Sequence, residues 1–385
     1  MKKIISVLAF GLLAFGTTAQ NTVEEILQLV EKHNTTLRAA ADRTATAKQE
    51  VMMENALEGP EVGFNYLNGN HAAMGKRRDF SVNQSFDLAT VFGYRHRLAK
   101  SQKESLDLQY QQLMLETRLE AIDLLVQLTY YNQALAVFNE RLVQERQLAT
   151  SYEKRLAAGD ANKIEVNRAR LSLANVETET SRFTAERDLL LIQLKTICGG
   201  AEVDYQGTDY QVFNISNPMS LRSMQETQNA QQQLIARNEL RSVRSQSMPS
   251  ITAGYMAELT DDEKWRGVTV GLSIPLWRNV RNVKRARLQV QSAQSEAEDA
   301  MYQLEQIAAA QKLRTERYFD IAQDIKNKLA NASSYPLLRK ALAEGEISLV
   351  EYTIEVSDLF DMRIKALEAE RDYQQARIYY SALGE

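Results

Sequence analysis

The chain has 385 residues, 25% of them charged and 44% hydrophobic, and carries a formal net charge of −4. That balance suits a packed structure rather than wholesale disorder, and with no basic tract it argues against nucleic-acid binding. One Cys and three His exclude a disulfide framework and a Cys/His metal cluster. Only 16 Gly and 5 Pro over this length point to long uninterrupted elements.

Lys2 and Lys3, the apolar run Ile4 to Gly16 and the small residues Thr17-Thr18-Ala19 read as a signal peptide over residues 1–19. The run is too short to cross a bilayer, and no later run reaches the ~18 apolar residues of a spanning helix. No Cys lies near the expected cleavage site, so a lipidated N-terminal cysteine is excluded. An exported chain of this kind is either soluble outside the cytoplasm or crosses a membrane by β-strands, the other backbone solution that lipid allows.

A first helix is expected over residues 22–58, opening on a capping box from Thr22 to Glu25. Then the period changes to two. Val62, Phe64 and Tyr66 alternate with Glu61, Gly63 and Asn65, and Phe80, Val82, Gln84, Phe86 and Leu88 alternate with Ser81, Asn83, Ser85 and Asp87. One apolar and one polar face is the strand signature, so residues 60–88 are predicted to form a β-hairpin. From about Leu88 to Leu156 there is no Pro and a single Gly, Gly93. Ala121, Leu124, Leu128, Tyr131, Leu135, Phe138 and Leu142 form a heptad seam within that stretch. At ~1.5 Å per residue the helix is on the order of 100 Å long.

A helix over 161–197 follows, then a short linker at 201–218 and a helix over 219–247. The second hairpin, over 249–276, sets Ile251, Ala253 and Tyr255 against Thr252 and Gly254. Its other strand sets Val268, Val270, Leu272, Ile274 and Leu276 against Thr269, Gly271 and Ser273. A second long Pro- and Gly-free stretch covers 277–335, with Met301, Leu304, Ala308, Tyr318, Ile325 and Leu329 on a seam interrupted by Gln311 and Thr315. The last helix is expected over 347–382.

The two halves repeat each other. Pro60 and Pro249, which open the hairpins, are 189 residues apart, and Leu88 and Leu276, which close them, are 188 apart. Gly159 and Gly345 differ by 186 residues, as do Glu165 and Glu351. Near-constant spacing over four landmarks marks a tandem duplication, with one repeat over 20–200 and the other over 219–385.

Four strands cannot close a barrel, and an open sheet edge in lipid leaves unpaired backbone groups. Hairpins that enter a membrane therefore require several chains to share one barrel, and three chains supply twelve strands. The polar strand faces then line water, while Phe64, Tyr66, Phe80, Phe86, Tyr255, Val270 and Leu272 meet lipid. Trp265 and Trp277 flank the last strand and fit interface positions.

Pro60 to Tyr66, Pro249 to Tyr255, Val270-Gly271-Leu272-Ser273-Ile274-Pro275-Leu276 and Gly345-Glu346-Ile347-Ser348-Leu349-Val350-Glu351-Tyr352 carry a further signal. With Ala366 to Tyr380 and the first-half counterpart Gly159 to Arg170, they make the chain resemble the TolC-like outer-membrane efflux proteins over essentially its whole mature length. The resemblance implies a mainly α fold with membrane β structure, a long α-helical barrel joined to a twelve-stranded transmembrane β-barrel shared by a homotrimer. It implies an outer-membrane protein of a Gram-negative bacterium that extends into the periplasm. There it is a passive exit duct for efflux or type I secretion that docks to a periplasmic adaptor, a membrane fusion protein, and through it to an inner-membrane pump. Outer-membrane lipid surrounds the barrel, and no cofactor, catalytic residue, bound metal or nucleic acid is implied.

By position, Glu165, Glu351 and Glu355 match the family's acidic periplasmic entrance, where a ring of carboxylates favours cations. Gly159, Asp160, Gly345 and Glu346, within Ala157–Ala161 and Ala343–Ile347, match the adaptor-docking tips. The short segment between Cys198 and Pro218 implies a reduced mid-barrel girdle. Phe80 to Asp87 followed by Tyr94-Arg95-His96-Arg97 is similar to the heavy-metal-efflux branch. The alternative is a periplasmic coiled-coil scaffold or adaptor without a membrane barrel, which has no need for aromatic period-two strand faces. An exported enzyme finds no Ser/His/Asp grouping, phosphate loop or paired carboxylates to support it.

Overall fold

A computed structural model of the chain describes residues 22–54, 56, 59–70, 75–86, 89–211, 219–274, 280–330 and 335–384. The export segment 1–19, the landmarks Leu88 and Leu276, Trp277 and the end of the linker beyond Gln211 lie outside the described residues. In chain order the elements are α1 (Val23–His33), α2 (Thr35–Glu54), β1 (Glu61–Asn68), β2 (Lys76–Phe86), α3 (Ala89–Ala158), α4 (Lys163–Ile197) and α5 (Leu221–Ser245). They continue with β3 (Ser250–Thr260), β4 (Lys264–Ser273), α6 (Val280–Ala330), α7 (Tyr335–Glu344) and α8 (Leu349–Ala382).

One expected helix is divided, and a further short helix, α7, follows the second long stretch, which is expected to end at Tyr335. The opening helix stops at His33 and resumes at Thr35, because Asn34 leaves helical geometry at φ −59° and ψ 120°. The Asn34 side chain instead donates Nδ2–H to the carbonyl of Ile197 at 2.9 Å, tying the end of α1 to the end of α4. The second long stretch ends as α6 at Ala330, and α7 starts afresh at Tyr335. Pro336 explains the fresh start, since a residue without N–H is tolerated only in a helix's first turn. The Thr22 capping box is present: Thr22 N–H reaches Glu25 Oε2 at 2.9 Å, and Glu25 N–H reaches Thr22 Oγ1 at 3.3 Å.

The chain forms two compact units that cut across the repeats. Of the described residues, one takes those up to 34 and within 120–211 and 322–371, and the other those within 35–119, 212–321 and 372–385. In the first unit the seam of α3 is buried at Ala121, Leu124, Leu128 and Phe138. The buried face is wider than a heptad seam, because Ile122, Leu125, Val126, Tyr130 and Ala134 are covered too. Tyr130, Ala134, Phe138 and Phe183 form one apolar cluster. Tyr130 keeps its hydroxyl satisfied on Glu368 at 3.2 Å, and the Arg371 guanidinium lies 4.6 Å from its ring centre.

The linker after α4 is strapped onto α3 in the same unit. Tyr205 is buried with its hydroxyl 3.0 Å from Thr129 Oγ1, and Asn132 Nδ2 donates to the carbonyl of Gly207 at 3.0 Å. In the second unit, Gln311 interrupts the α6 seam for a reason. It is buried and donates to the carbonyl of Ala376 on α8 at 3.0 Å.

The junction of α1 and α4 turns on Gly199, whose φ is +69° and whose added Cβ would lie 1.9 Å from the His33 carbonyl oxygen. Its neighbour Gly200 has φ +85° but open space around it. Gly200→Ala should therefore cost only the left-handed backbone penalty of about 1–2 kcal/mol. Gly199→Ala should cost clearly more, because it also separates two backbones. Thermal unfolding of the two variants side by side checks this, and equal melting temperatures would contradict the close approach.

Candidate functional site

The four strands form one antiparallel sheet in the order β1-β2-β3-β4. Antiparallel partners share a face, so the register sorts the side chains. Val62, Val82, Tyr255 and Val268 lie in one row, Phe64 pairs with Phe80, and Phe86, Ile251 and Leu272 lie in another. Tyr66 and Val270 fall on this same face, opposite Arg78 and Ala253. All seven residues expected to meet lipid thus occupy one surface, and they are exposed, Val270 at 79% and Phe64 at 65%.

The other face is polar and small. Asn83, Gly254 and Thr269 share a row, with Thr269 Oγ1 and Asn83 Oδ1 3.3 Å apart, and Ser85 and Thr252 hydroxyls meet at 3.1 Å. A Cβ on Gly254 would lie 2.1 Å from Asn83 Oδ1 and 2.7 Å from the Val82 carbonyl oxygen, so this face admits no side chain there. Nearer the hairpin turns, Arg77 bridges Asp79 at 2.8 Å and Glu258 at 3.0 Å. Trp265 pairs with Glu258 and so stands on the polar face, where it donates to Glu263 at 3.1 Å; it does not extend the apolar surface. The two turns are tied together by Lys76 N–H on Asp261 Oδ2 at 3.0 Å. Among the described residues, β1 and β4 each pair on one side only, which leaves two open edges.

The second site is a pair of helix-to-helix turns in the first unit. After α3, Gly159 takes φ +84°, and Asp160 N–H and Gly159 N–H return to the carbonyls of Arg155 and Leu156 at 2.8 and 3.1 Å. After α7, Gly345 takes φ +75°, with Glu346 and Gly345 returning to Ala341 and Leu342 at 2.9 and 3.3 Å. Both turns are Schellman motifs, which need a residue free to adopt positive φ. Gly159, Asp160, Gly345 and Glu346 are all exposed.

The next helix in each case begins with a capping box. Asn162 Oδ1 accepts the N–H groups of Ile164 and Glu165 at 2.9 Å, while Glu165 Oε2 accepts Asn162 N–H at 2.8 Å. Ser348 Oγ accepts Glu351 N–H at 3.2 Å, and Glu351 Oε2 accepts Ser348 N–H at 2.8 Å. The hydrogen bonds from the Ser348 backbone and hydroxyl hold the Glu351 carboxyl below the ordinary carboxylate range. Glu355 lies one turn further along α8 and is exposed.

The tips pack on one core of Ala149, Tyr152, Val166, Ala169, Leu349, Tyr352, Val356 and Phe360, which joins the ends of α3, α4 and α8. Arg168 donates from α4 to Thr353 Oγ1 on α8 at 3.2 Å. Higher up, Arg141 and Glu145 on α3 are both buried. The ring of Phe360 has the Arg141 and Arg363 guanidinium groups 5.3 and 5.1 Å from its centre. Burial pushes the Glu145 carboxyl up. Neither residue stands out in the sequence, because a charged pair four residues apart normally marks a solvated helix face. Ile164 and Val350, the second residues of α4 and α8, are exposed at equivalent places in the two repeats, 80% and 52%.

No described helix is long and apolar enough to cross a membrane. An exposed apolar sheet face backed by a polar one, with long helices, describes a strand-built membrane wall. Residues 26–200 match the family model of the outer membrane efflux proteins. Over that stretch the chain is similar to the outer membrane efflux proteins. No curated protein matches it. Among solved structures it resembles CusC, described for conformational changes accompanying folding and transmembrane channel formation, with TM-score 0.77 at 17% identity over 95% of this chain and 92% of that one. It also resembles the CmeC outer membrane channel of Campylobacter jejuni, with TM-score 0.71 at 13% identity over 100% and 93% of the two chains. The open-state MtrE outer membrane channel of Neisseria gonorrhoeae gives TM-score 0.72 at 13% identity over 94% and 88%. At these identities the likeness is one of fold, and it is the fold of outer-membrane channels.

The caps give a prediction in which charge and structure separate. Asn162→Ala removes the α4 cap and should cost about 1 kcal/mol. A carboxyl whose folded pKa is lowered adds stability above its unfolded pKa and loses it as pH falls through the folded value. Glu351 should therefore stabilise the tip at neutral pH and release that contribution in acid. Glu351→Gln keeps an acceptor for Ser348 N–H but abolishes the titration, so its melting temperature should fall less steeply than wild type on acidification. Parallel acid-side melting curves would show that the carboxylate contributes nothing to the cap.

Proposed function

We propose that three copies of this chain close their sheets into one twelve-stranded barrel and form a passive outer-membrane exit duct. The observation that carries this reading is the sheet: two open edges, one exposed apolar face and one polar face. Its strands of 8 to 11 residues match the ~9–11 a tilted membrane strand needs. Pairing β4 of one copy with β1 of the next satisfies every edge, puts the apolar face toward lipid and gives the lumen Asn83, Ser85, Thr252 and Thr269. The helices then continue on the periplasmic side. A wall of this kind moves nothing by itself, so the energy comes from an inner-membrane pump reached through a periplasmic adaptor.

The tips are the adaptor's docking points. Gly159, Asp160, Gly345 and Glu346 offer exposed, rigidly capped turns, and the exposed apolar side chains of Ile164 and Val350 provide contact area beside them. Glu165, Glu351 and Glu355 form the acidic periplasmic entrance. The capping boxes fix where Glu165 and Glu351 stand, so their charge is held at the helix N-termini.

The periplasmic scaffold is the competing reading, and the exposed row of Val268, Val270 and Leu272 argues against it. Val270→Arg places a charge in the middle of the apolar face, which costs about 2–4 kcal/mol in a membrane strand. It should abolish recovery of a detergent-requiring trimer from outer membranes. A scaffold would tolerate the change and appear in the periplasmic fraction without detergent. Replacing Glu165, Glu351 and Glu355 together by Gln keeps the caps and removes the charge. In planar bilayers at neutral pH that variant should lose the cation preference of the wild type. Unchanged traces would remove the acidic entrance while leaving the duct intact.

A further inference from the structure

Both helices that follow a hairpin begin with cations and no acid. In α3 the first charged residues are Arg95, Arg97, Lys100 and Lys103, and the first acid is Glu104. In α6 they are Arg281, Lys284, Arg285 and Arg287, and the first acid is Glu296. The turn end of the same sheet is mixed, since Lys76, Arg77, Arg78, Lys264 and Arg266 stand among Asp79, Glu258, Asp261, Asp262 and Glu263. In a chain of net charge −4, eight cations without an acid are confined to the helix end.

The α6 cations form a built surface. Arg281, Lys284, Arg285 and Leu288 follow one helical stripe and, with Gln289 and Ser292, line a shallow depression that contains no carboxylate. Glu239 on α5 approaches Arg285 at 3.6 Å. Arg281, Lys284 and Arg287 are exposed. Val280 and Leu288, also exposed at 76% and 56%, stand at the same level. From Val280 to Arg287 the helix rises only ~10 Å, which is headgroup depth. Cations interleaved with exposed aliphatic side chains suit a lipid interface, where stems meet acyl chains and charges meet phosphates. A water-filled lumen has no use for Val280 and Leu288.

We infer that the start of α6, supported by the start of α3, is a binding surface for anionic phospholipid headgroups of the periplasmic leaflet. The inference rests on the membrane reading above and specifies which lipid the helix end selects. It also sets the depth of the barrel, because the collar of cations stops at the phosphate plane.

The test is native mass spectrometry of the detergent-extracted trimer titrated with phosphatidylglycerol or phosphatidylcholine. Wild type should retain phosphatidylglycerol at least tenfold better, and millimolar inorganic phosphate should not displace it. Each cation near an anionic headgroup is worth about fivefold, from ~1 kcal/mol per Lys or Arg. The triple variant R281Q/K284Q/R287Q should lose most of the preference, whereas K76Q/R77Q/R78Q at the turn end should keep it. Where the triple variant fails to assemble, raising salt on wild type replaces it, and the preference should fall steeply. Equal binding of the two lipids by a detergent-requiring trimer would overturn this inference alone. A preference untouched by both the triple variant and salt would also overturn it, as would a variant that changes ion selectivity but not lipid binding. A protein that stays monomeric and soluble without detergent would instead defeat the membrane reading beneath it.

Discussion

Backbone hydrogen bonding governs this protein more than any side chain does. A four-stranded sheet has two edges, and each edge carries a row of N–H and C=O groups that water satisfies and lipid does not. The apolar face of Val62, Phe64, Phe80, Tyr255, Val268, Val270 and Leu272 draws the sheet toward lipid, while the edges forbid it from arriving alone. In the proposed duct, pairing between copies meets both demands. The polar face follows from the same logic, because a closed barrel needs an inside compatible with water. Small residues keep that inside open: Gly254 leaves room for Asn83 and Thr269 to meet across it.

The helical unit is held by a different economy. Its tips pack on their own apolar core, and the turns beyond that core are shaped by how the chain ends are hydrogen-bonded. Each turn uses a positive-φ glycine to finish one helix and an Asn or Ser with a Glu three residues on to begin the next. A carboxylate held in that way has its position decided by local structure before any partner or ion arrives. The observed cap and the proposed electrostatic role therefore fall on the same side chains at Glu165 and Glu351, whereas Glu355 stands outside the box.

Much of this was legible in the residues, and the parts that were not have physical reasons. Period-two alternation identified both hairpins and the membership of each face, since register in a twofold repeat leaves no intermediate answer. The spacing of Gly159 and Gly345 located both turns. Capping boxes at 162–165 and 348–351 carry the same signature as Thr22 to Glu25, an Asn, Ser or Thr with a Glu three residues on. The break at Asn34 was invisible because its cause is a carbonyl at Ile197, far along the chain. Proximity to a strand end suggests an interface place for Trp265, but its odd position in β4 sets it with Glu258.

Buried Arg141 and Glu145 show the limit of periodicity most clearly. Their spacing reads as a solvent-facing pair, but Phe360 and the hydroxyl of Ser357, both from α8, meet Arg141, and Glu145 is buried as well. Replacing such a pair by apolar residues is often neutral or favourable, so burial by itself gives no reason to keep it. What a charged pair does that an apolar one cannot is penalise misalignment: if α8 shifts against α3, Arg141 loses Ser357 and the ring of Phe360 together. An apolar contact slides at little cost, whereas a buried guanidinium is costly anywhere except its own place. Because α3 and α8 run antiparallel over several turns, that penalty favours a single alignment of the two and, through it, the position of the tips.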